Sequence, residues 1–303
     1  MPAPSERADP APIHDLAIVG GGLLGSLLAL AFARLRPDID LILLERGESF
    51  GGNLLEPIIL DEVPTDCIGL IDSAIVKIWQ RCFVILPDSC QYFGDSIALV
   101  DPRQFHLDII ESLPPERRRT ACAVGTIAGQ TIRTSRGPVF ARQTIDTRGK
   151  ARFDRLAFER QTHYRDLKLD HKLEAPVLAD FSQSQANWNF RQLFPVDDQR
   201  IIVVHWHREG RFPCARAAHE ESTSEPGRFD HEIGPQRCPD HLASFPCMLL
   251  YALRVASSAS SLASPNGAAI EAVFSRERRW LAQRAEALFE LASMAQARAG
   301  ATE

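Results

Sequence analysis

Asp15-Leu16-Ala17-Ile18-Val19-Gly20-Gly21-Gly22-Leu23-Leu24-Gly25 decides the fold, together with Ile39-Asp40-Leu41-Ile42-Leu43-Leu44-Glu45 after it. The apolar run 15–19 reads as a buried strand. Residues 23–36 read as a helix stopped by Pro37, and 39–45 as a second buried strand of a parallel sheet. Gly20, Gly22 and Gly25 fill the three glycine positions of G-x-G-x-x-G. The first makes a tight turn, the second admits a pyrophosphate to the backbone, and the third lets the helix lie close to the strand. The helix N-terminus offers amide donors and a positive dipole to that anion. Glu45, twenty residues after Gly25, stands where a carboxylate accepts hydrogen bonds from ribose hydroxyls. Strand, glycines, helix, strand and terminal acid in this order form a dinucleotide-binding βαβ unit, a far more specific signal than the glycines alone.

The same stretch raises a membrane question. Residues 16–35 are nearly all apolar, broken only by Ser26 and Arg34 and by the glycines. That length could span a bilayer, but the glycine cluster makes it strand, turn and helix instead. Residues 1–14 carry Pro2, Pro4, Pro10 and Pro12 with mixed charge and no apolar core. They are expected to form a disordered arm rather than a signal peptide. With 303 residues, 45% hydrophobic and 24% charged, the chain suits a nucleotide-binding domain with a second lobe and excludes a fibrous or wholly disordered protein. A net charge of −5 argues against a nucleic-acid partner. Seven scattered cysteines read as reduced thiols of a cytoplasmic protein.

Further along, 96–100 reads as a short strand, 102–113 as a helix, and 120–127, 130–134 and 138–141 as a small antiparallel sheet. Residues 143–145 lead into Asp146-Thr147-Arg148-Gly149. Expected strands at 167–173, 176–181, 188–194 and 200–207 make an antiparallel second lobe. Residues 209–241, rich in proline, glycine and charge, read as loop; 257–264 read as weak structure, and 268–299 as a helix. The expected organisation is an arm over 1–14, a cofactor-binding domain over 15–160, a β-sheet substrate lobe over 161–208, a loop-rich stretch over 209–267 and a C-terminal helix over 268–303. That helix is expected to complete the first domain. The fold class is α/β: a doubly wound, Rossmann-like FAD/NAD(P)-binding domain with an antiparallel lobe.

Arg46-Gly47 directly after the acid, followed by Phe50-Gly51-Gly52-Asn53, resembles the pattern of two-dinucleotide-binding flavoproteins. Thr144-Ile145-Asp146-Thr147-Arg148-Gly149 resembles their later strand, whose Asp lies near the flavin. This favours FAD over NAD. Cofactor-binding expectations fall on Gly20, Gly22, Gly25, Glu45, Arg46, Gly52, Asn53, Asp146 and Gly149. Arg103 joins them, because Arg103-Gln104-Phe105-His106 resembles a helix start that carries a flavin-contacting Arg or Gln; a plain surface helix is the competing reading.

These residues, with the middle of the chain, resemble the bacterial lycopene β-cyclases. Thr144-Ile145-Asp146-Thr147-Arg148-Gly149 is similar to that family's I-D-x-R-G element. Pro176-Val177-Leu178-Ala179-Asp180 and Gln185 are similar to its P-V-x-M-D-A-T-V-x-Q segment. Phe190, Leu193-Phe194-Pro195 and Arg200-Ile201-Ile202-Val203 are similar to R-F-x-Y-x-L-P and the strand after it. The resemblance implies acid-catalysed ring closure of the ends of lycopene beside a bound, reduced FAD, with NAD(P)H as electron source. It implies a wholly apolar substrate drawn from a membrane surface, and so peripheral attachment to the bilayer.

The departures are equally specific. The family's E-D-T falls on Val204-His205-Trp206, so the carboxylate assigned as the acid is missing. The family's His-Thr-Trp after G-G-N is Leu54-Leu55-Glu56. The C-terminal glycine-rich flavin segment has no counterpart, and the likeness fades after about Arg211; an altered reading frame or a deletion would account for that. Three readings stay open at this point: an impaired cyclase, an FAD-dependent monooxygenase or other oxidoreductase, and a non-catalytic remnant. Asp180, at a strand end, and His205, beside Trp206, are the candidate catalytic groups; a turn-capping Asp and a solvated strand face are the plainer alternatives. His207 shares the face of His205, and Glu56 is either near the flavin loop or a surface acid. Cys214, His219, His231, Cys238 and His241 match no zinc module, so no metal is expected. Arg276, Arg278, Arg279 and Arg284, with Phe274 and Trp280, would make a membrane-facing or a merely solvated helix face. Oligomeric state is open.

Overall fold

The computed structural model describes residues 12–86, 89–148, 158–166, 173–182, 190–208, 233–236 and 248–299. Most of the expected arm, most of the stretch 209–247, and Gly149, Gln185 and the cysteine–histidine group at 214–241 lie outside these residues.

The βαβ unit forms as its pattern requires. Strand β1 (Ile13–Val19), helix α1 (Leu23–Leu35) and strand β2 (Leu41–Leu44) follow one another, with β1 and β2 parallel from Leu16↔Leu41 to Val19↔Leu44. Every residue of β2 is buried, as a strand covered on both faces must be. Strand β11 (Gly137–Asp146) lies parallel to β1 on its other side, with Val19 opposite Asp146. It is one long strand where the sequence suggested two pieces. Beyond it lie β10 (Thr131–Thr134) and β9 (Val124–Ala128), both antiparallel, and beyond β2 lies the short β8 (Arg118–Arg119).

The second sheet has seven strands: β12 (Phe158–Asp166), β15 (Arg200–Arg208), β14 (Phe190–Pro195), β13 (Val177–Asp180), β5 (Cys82–Ile85), β6 (Cys90–Phe93) and β16 (Ile233–Gln236), in that spatial order. It is mostly antiparallel, with parallel pairings at β13–β5 and β16–β6. Two outcomes differ from the sequence expectations. Strand β12 runs over 158–166, where no strand was expected, while residues 167–172 of the strand expected at 167–173 lie outside the described residues. The sheet also takes β5 and β6 from within 15–160, and β16 from the expected loop 209–241. Strand pairing is a long-range event, and short apolar segments such as 82–85 carry no signal for their partner. A three-stranded antiparallel sheet has the order β3 (Glu56–Ile59), β7 (Ile97–Val100), β4 (Ile75–Trp79). Lys77 on β4 donates to the carbonyls of Pro195 and Val196 at 3.0 and 3.3 Å, tying this sheet to the end of β14.

Helix α1 is buried on all sides: Leu24 through Phe32 are all inaccessible. A helix with no polar face needs cover all round. The first sheet covers one side, and helix α3 (Met248–Ser260) the other. This helix lies within the stretch 209–267 expected to be loop-rich, and the first half of 257–264, which looked weak in sequence, is its last turn. Its Ala252, Ala256, Ala259 and Ser260 are buried, and their small size permits close approach. Helix α2 (Phe105–Ser112) and helix α4 (Gly267–Ala299) complete the cover, α2 against α1 and α4 against α3.

Helix α4 is fixed by charge as well as packing. Trp280 lies between two guanidinium groups, Arg254 and Arg284, each 4.3 Å from its ring. Arg284 forks onto Glu62 at 2.9 and 3.0 Å; Arg254 and Arg276 both donate to the buried Glu277, at 2.7 and 2.8 Å. Burial raises the Glu62 carboxyl above its ordinary pKa even though Arg284 pulls it the other way. Arg278 pairs with Glu271, and Phe274 is wholly buried. On this face Arg276, Arg278 and Arg284 thus hold acidic partners, Phe274 packs inward and Trp280 is half-buried. Trp280→Ala removes both cation–π contacts, and should cost about 2 kcal/mol, with Trp280→Phe costing about half; thermal unfolding followed by circular dichroism measures both.

Candidate functional site

The glycine turn is built at the carboxyl ends of β1, β2 and β11. Gly20 has φ +101°, a region L side chains rarely enter. A Cβ on Gly25 would overlap the Gly20 carbonyl oxygen, so helix and turn touch there without any side chain between them. Gly22 is different: a Cβ there would meet nothing within 4 Å. Gly22 is the N-cap of α1 and brings no side-chain acceptor to the first-turn amides. Those amides therefore carry no side-chain cap, the arrangement an anion at a helix N-terminus requires.

Glu45 is fixed beside them. One carboxylate oxygen accepts from the Gly21 amide, the other from the Gly47 amide at 2.7 Å. Each oxygen keeps a lone pair for a further donor such as a ribose hydroxyl. Thr147 shares its hydroxyl proton between the carbonyls of Val19 and Gly20, at 3.0 and 2.7 Å, and so clips the end of β11 to the turn. Ser26 is fully buried; its hydroxyl donates to the Gly21 carbonyl at 2.8 Å and accepts from the Gly51 amide at 2.9 Å. Sequence reasoning passed over Ser26 as a break in an apolar run. The available signal was a lone hydroxyl in an otherwise apolar helix, which needs a buried partner.

Through Ser26 the second glycine loop, Phe50-Gly51-Gly52-Asn53, is drawn onto the first. Gly51 and Gly52 have φ +97° and +103°. A Cβ on Gly52 would stand 3.6 Å from the Leu23 amide nitrogen, so the loop passes over the start of α1. Gly20, Gly22, Gly25, Glu45, Gly52 and Asp146 thus converge, while Arg46 and Asn53 are exposed at the rim. Asp146 accepts from the Arg148 backbone and guanidinium at 2.7 to 3.1 Å. Arg103, exposed at the turn before α2, is tied to Asp101 at 2.6 to 3.0 Å and holds that carboxyl below its usual range.

The catalytic candidates lie on the second sheet. Asp180, Arg191 and His205 are successive cross-strand partners on β13, β14 and β15, and so share one face. Asp180 is wholly buried; it accepts from Arg191 Nε at 2.7 Å and from the Ser182 amide and hydroxyl at 2.9 and 2.6 Å. His205 is buried beside this pair. The alternation of a strand puts Val204 on the opposite face, with Phe190, Gln192, Phe194 and Trp206. There Phe190 stacks on Trp206 at 6.0 Å and meets Phe181 and Phe289 at 5.7 and 5.9 Å. Trp206 Nε1 donates to Gln192, whose amide donates to the Leu178 carbonyl, at 2.7 and 2.8 Å, so this aromatic wall has its polar atoms satisfied. Glu56, at the start of β3 and four residues past Gly52, is buried rather than a surface acid. The side chain of His207 lies outside the described residues. Among the described residues no group of three or more His, Cys, Asp or Glu could hold a metal ion, and no helix is long and apolar enough to cross a membrane.

The family model described as lycopene cyclase protein matches residues 15–205. The chain belongs to the lycopene cyclase family. The matched region runs from β1 to the middle of β15, and so takes in the glycine turn and the candidate row on the second sheet. The lycopene beta-cyclase of Pantoea ananas is 24% identical over 201 residues, covering 65% of this chain and 52% of that protein. The lycopene beta-cyclase of Pseudescherichia vulneris is 24% identical over 200 residues, covering 63% and 50%. The chain therefore spans about half the length of these curated relatives. Among solved structures, a geranylgeranyl bacteriochlorophyll reductase-like protein from Thermoplasma acidophilum superposes with TM-score 0.56 at 13% identity, over 94% of this chain and 92% of that one. A peptidyl tryptophan dihydroxylase superposes with TM-score 0.55 at 15% identity, over 94% and 74%. The lycopene cyclase family chain thus has the Rossmann-like FAD-type fold, and these likenesses extend past the family match.

The two kinds of glycine contact predict opposite outcomes. Gly22→Ala should leave thermal stability within about 0.5 kcal/mol of the parent. Gly25→Ala should lower it by roughly 2 kcal/mol or more, because the new methyl group must displace the Gly20 carbonyl; denaturant unfolding of the two variants separates them.

Proposed function

We propose that this lycopene cyclase family chain binds FAD in the glycine cradle and receives lycopene against the aromatic face of the second sheet, with ring closure slowed by the absence of a carboxylate at position 204. The observation that carries the reading is the open, uncapped start of α1 at Gly22, beside a Glu45 already held by two amides. In this reading the first-turn amides of α1 hold the pyrophosphate, Glu45 takes the ribose hydroxyls, and the 50–53 loop and Asp146 border the rest of the cofactor. When bound and reduced, with NAD(P)H as the source of electrons, the flavin supplies negative charge against a cationic intermediate. The chain itself must supply a dry apolar wall and a proton. Phe181, Phe190, Phe194 and Trp206 supply the wall.

The proton is the weak point. Family resemblance puts the acid where Val204 stands, on the aromatic face. Asp180 and His205 occupy the other face, and Asp180 is engaged by Arg191 and Ser182. Both act as structural groups in this reading. Lycopene is wholly apolar, so the protein is proposed to work in the cytoplasm against a membrane surface. The superposition on a reductase-like protein along nearly its full length favours a second reading, an FAD-dependent oxidoreductase.

The test is anaerobic incubation of purified protein with lycopene, FAD and a reductant, with products separated by chromatography. The expected result is a small yield of cyclised carotenoid, raised roughly tenfold or more by Val204→Glu, as restoring a general acid would do. Gly22→Ala should weaken FAD binding roughly tenfold without loss of fold, a change of about 1.4 kcal/mol. Folded, flavin-loaded protein that gives no cyclised product, with or without the glutamate, overturns the cyclase reading. FAD reduction by NAD(P)H with oxygen uptake would then favour the oxidoreductase.

A further inference from the structure

The loop 50–53 is gripped from two directions. From α1 and the first glycine turn, the Ser26 hydroxyl and the Gly21 carbonyl both accept the Gly51 amide, at 2.9 and 2.8 Å. From α2, His106 Nδ1 accepts the Phe50 amide at 3.3 Å, and its ring lies 5.8 Å from the Phe50 ring at a tilt of 34°. The Phe50 ring in turn fills the space beside Gly21 and the Glu45 Cβ. A Cβ on Gly51 would overlap the carbonyl oxygen of Pro102, which opens the turn into α2. The loop is thus pressed between the starts of the two helices, and its course over α1 depends on both grips.

The two grips differ chemically. A serine hydroxyl does not titrate near neutrality. An imidazole that accepts a backbone N–H must carry its own proton on Nε2, and once doubly protonated it has donors only. We infer that His106 is a positioning residue for the cofactor: its neutral form holds the Phe50 end of the 50–53 loop beside the N-terminus of α1, and its protonation frees that end while Gly51 stays bonded. This rests on the reading that FAD occupies the cradle.

The sign follows directly. The gripped loop carries one proton fewer than the ungripped one, so the grip, and with it cofactor retention, is present when His106 is neutral and lost when it is protonated, that is, on acidification. The charged groups on the surrounding elements are Asp108 and Glu111 on α2, Asp101 and Arg103 on the turn before it, Asp72 on the neighbouring turn, Glu45, Arg46 and Glu48 on the arm leading to Phe50, and Arg34 at the far end of α1. Asp101 and Arg103 pair with each other, and Asp108 accepts from Ser73. None of these groups is a hydrogen-bond partner in the His106–Phe50 contact, so a change that depends on His106 can be isolated by substituting it.

Two readouts test this on the full chain. One is protection of the Phe50 amide against hydrogen exchange in flavin-free protein, followed by nuclear magnetic resonance. The other is FAD affinity by fluorescence quenching, taken from about pH 8 to about pH 5.5. The parent protein should lose Phe50 protection and roughly fivefold in affinity on acidification, the size of one hydrogen bond. His106→Asn keeps an acceptor that does not titrate; it should hold affinity near the parent's high-pH value with a flat profile. His106→Phe keeps the ring contact without the acceptor and should be weak and flat throughout. A Phe50 protection that does not change with pH, or an Asn variant that follows the parent's profile, overturns the inference. If no variant binds FAD, the cofactor reading falls, and the Phe50 protection alone still decides whether His106 holds the loop. Should His106→Phe fail to fold, the comparison of parent and His106→Asn stands by itself.

Discussion

The overlap that a Cβ on Gly25 would make with the Gly20 carbonyl oxygen sets the geometry of everything around it. Only a residue without a side chain lets α1 start that close to the end of β1. The closeness fixes the uncapped first turn of α1 at the glycine turn and brings Ser26 within reach of both the Gly21 carbonyl and the Gly51 amide. From there the order propagates outward. Ser26 carries the turn's position to the second glycine loop, and Thr147 carries it to β11. A dinucleotide cradle is therefore less a set of contact residues than one close backbone approach, with a few hydroxyls that distribute it.

Much of this was legible in the sequence, because the signals were local. Residues 13–45 encode strand, turn, helix, strand and acid within one short window, and each piece forms next to its neighbour. The second sheet was legible in part. Strands β13, β14 and β15 are consecutive and close to their expected positions. Strands β5 and β6, more than eighty residues earlier, join the same sheet through a parallel pairing that no local pattern announces. Helix α3 was missed for a related reason. Its alanines and serines look weak as a surface helix, and make sense only against the apolar back of α1. Ser26 and His106 were passed over because a hydrogen bond to a backbone group leaves no periodicity to detect.

The candidate row on the second sheet illustrates how a strand divides chemistry from structure. Asp180 and His205 stand out as catalytic candidates in the sequence, a carboxylate and an imidazole; the structure adds Arg191 between them. Alternation places them behind the sheet, where a buried charge pair with several hydrogen bonds satisfies its own needs. The neighbouring residue, Val204, sits on the side lined by Phe190 and Trp206. One position along the strand thus separates a group that supports the sheet from one that would face an apolar guest.

The all-round burial of α1 also orders events as the chain is made. Its first cover, the parallel sheet, is complete once β11 has emerged; its second cover, α3, comes more than a hundred residues later. During synthesis a helix of leucine, alanine and phenylalanine must wait with one apolar side uncovered, a state that exposes the nascent protein to aggregation. The last fifth of the chain, although it contributes little recognisable sequence, therefore acts as the closing piece for the first.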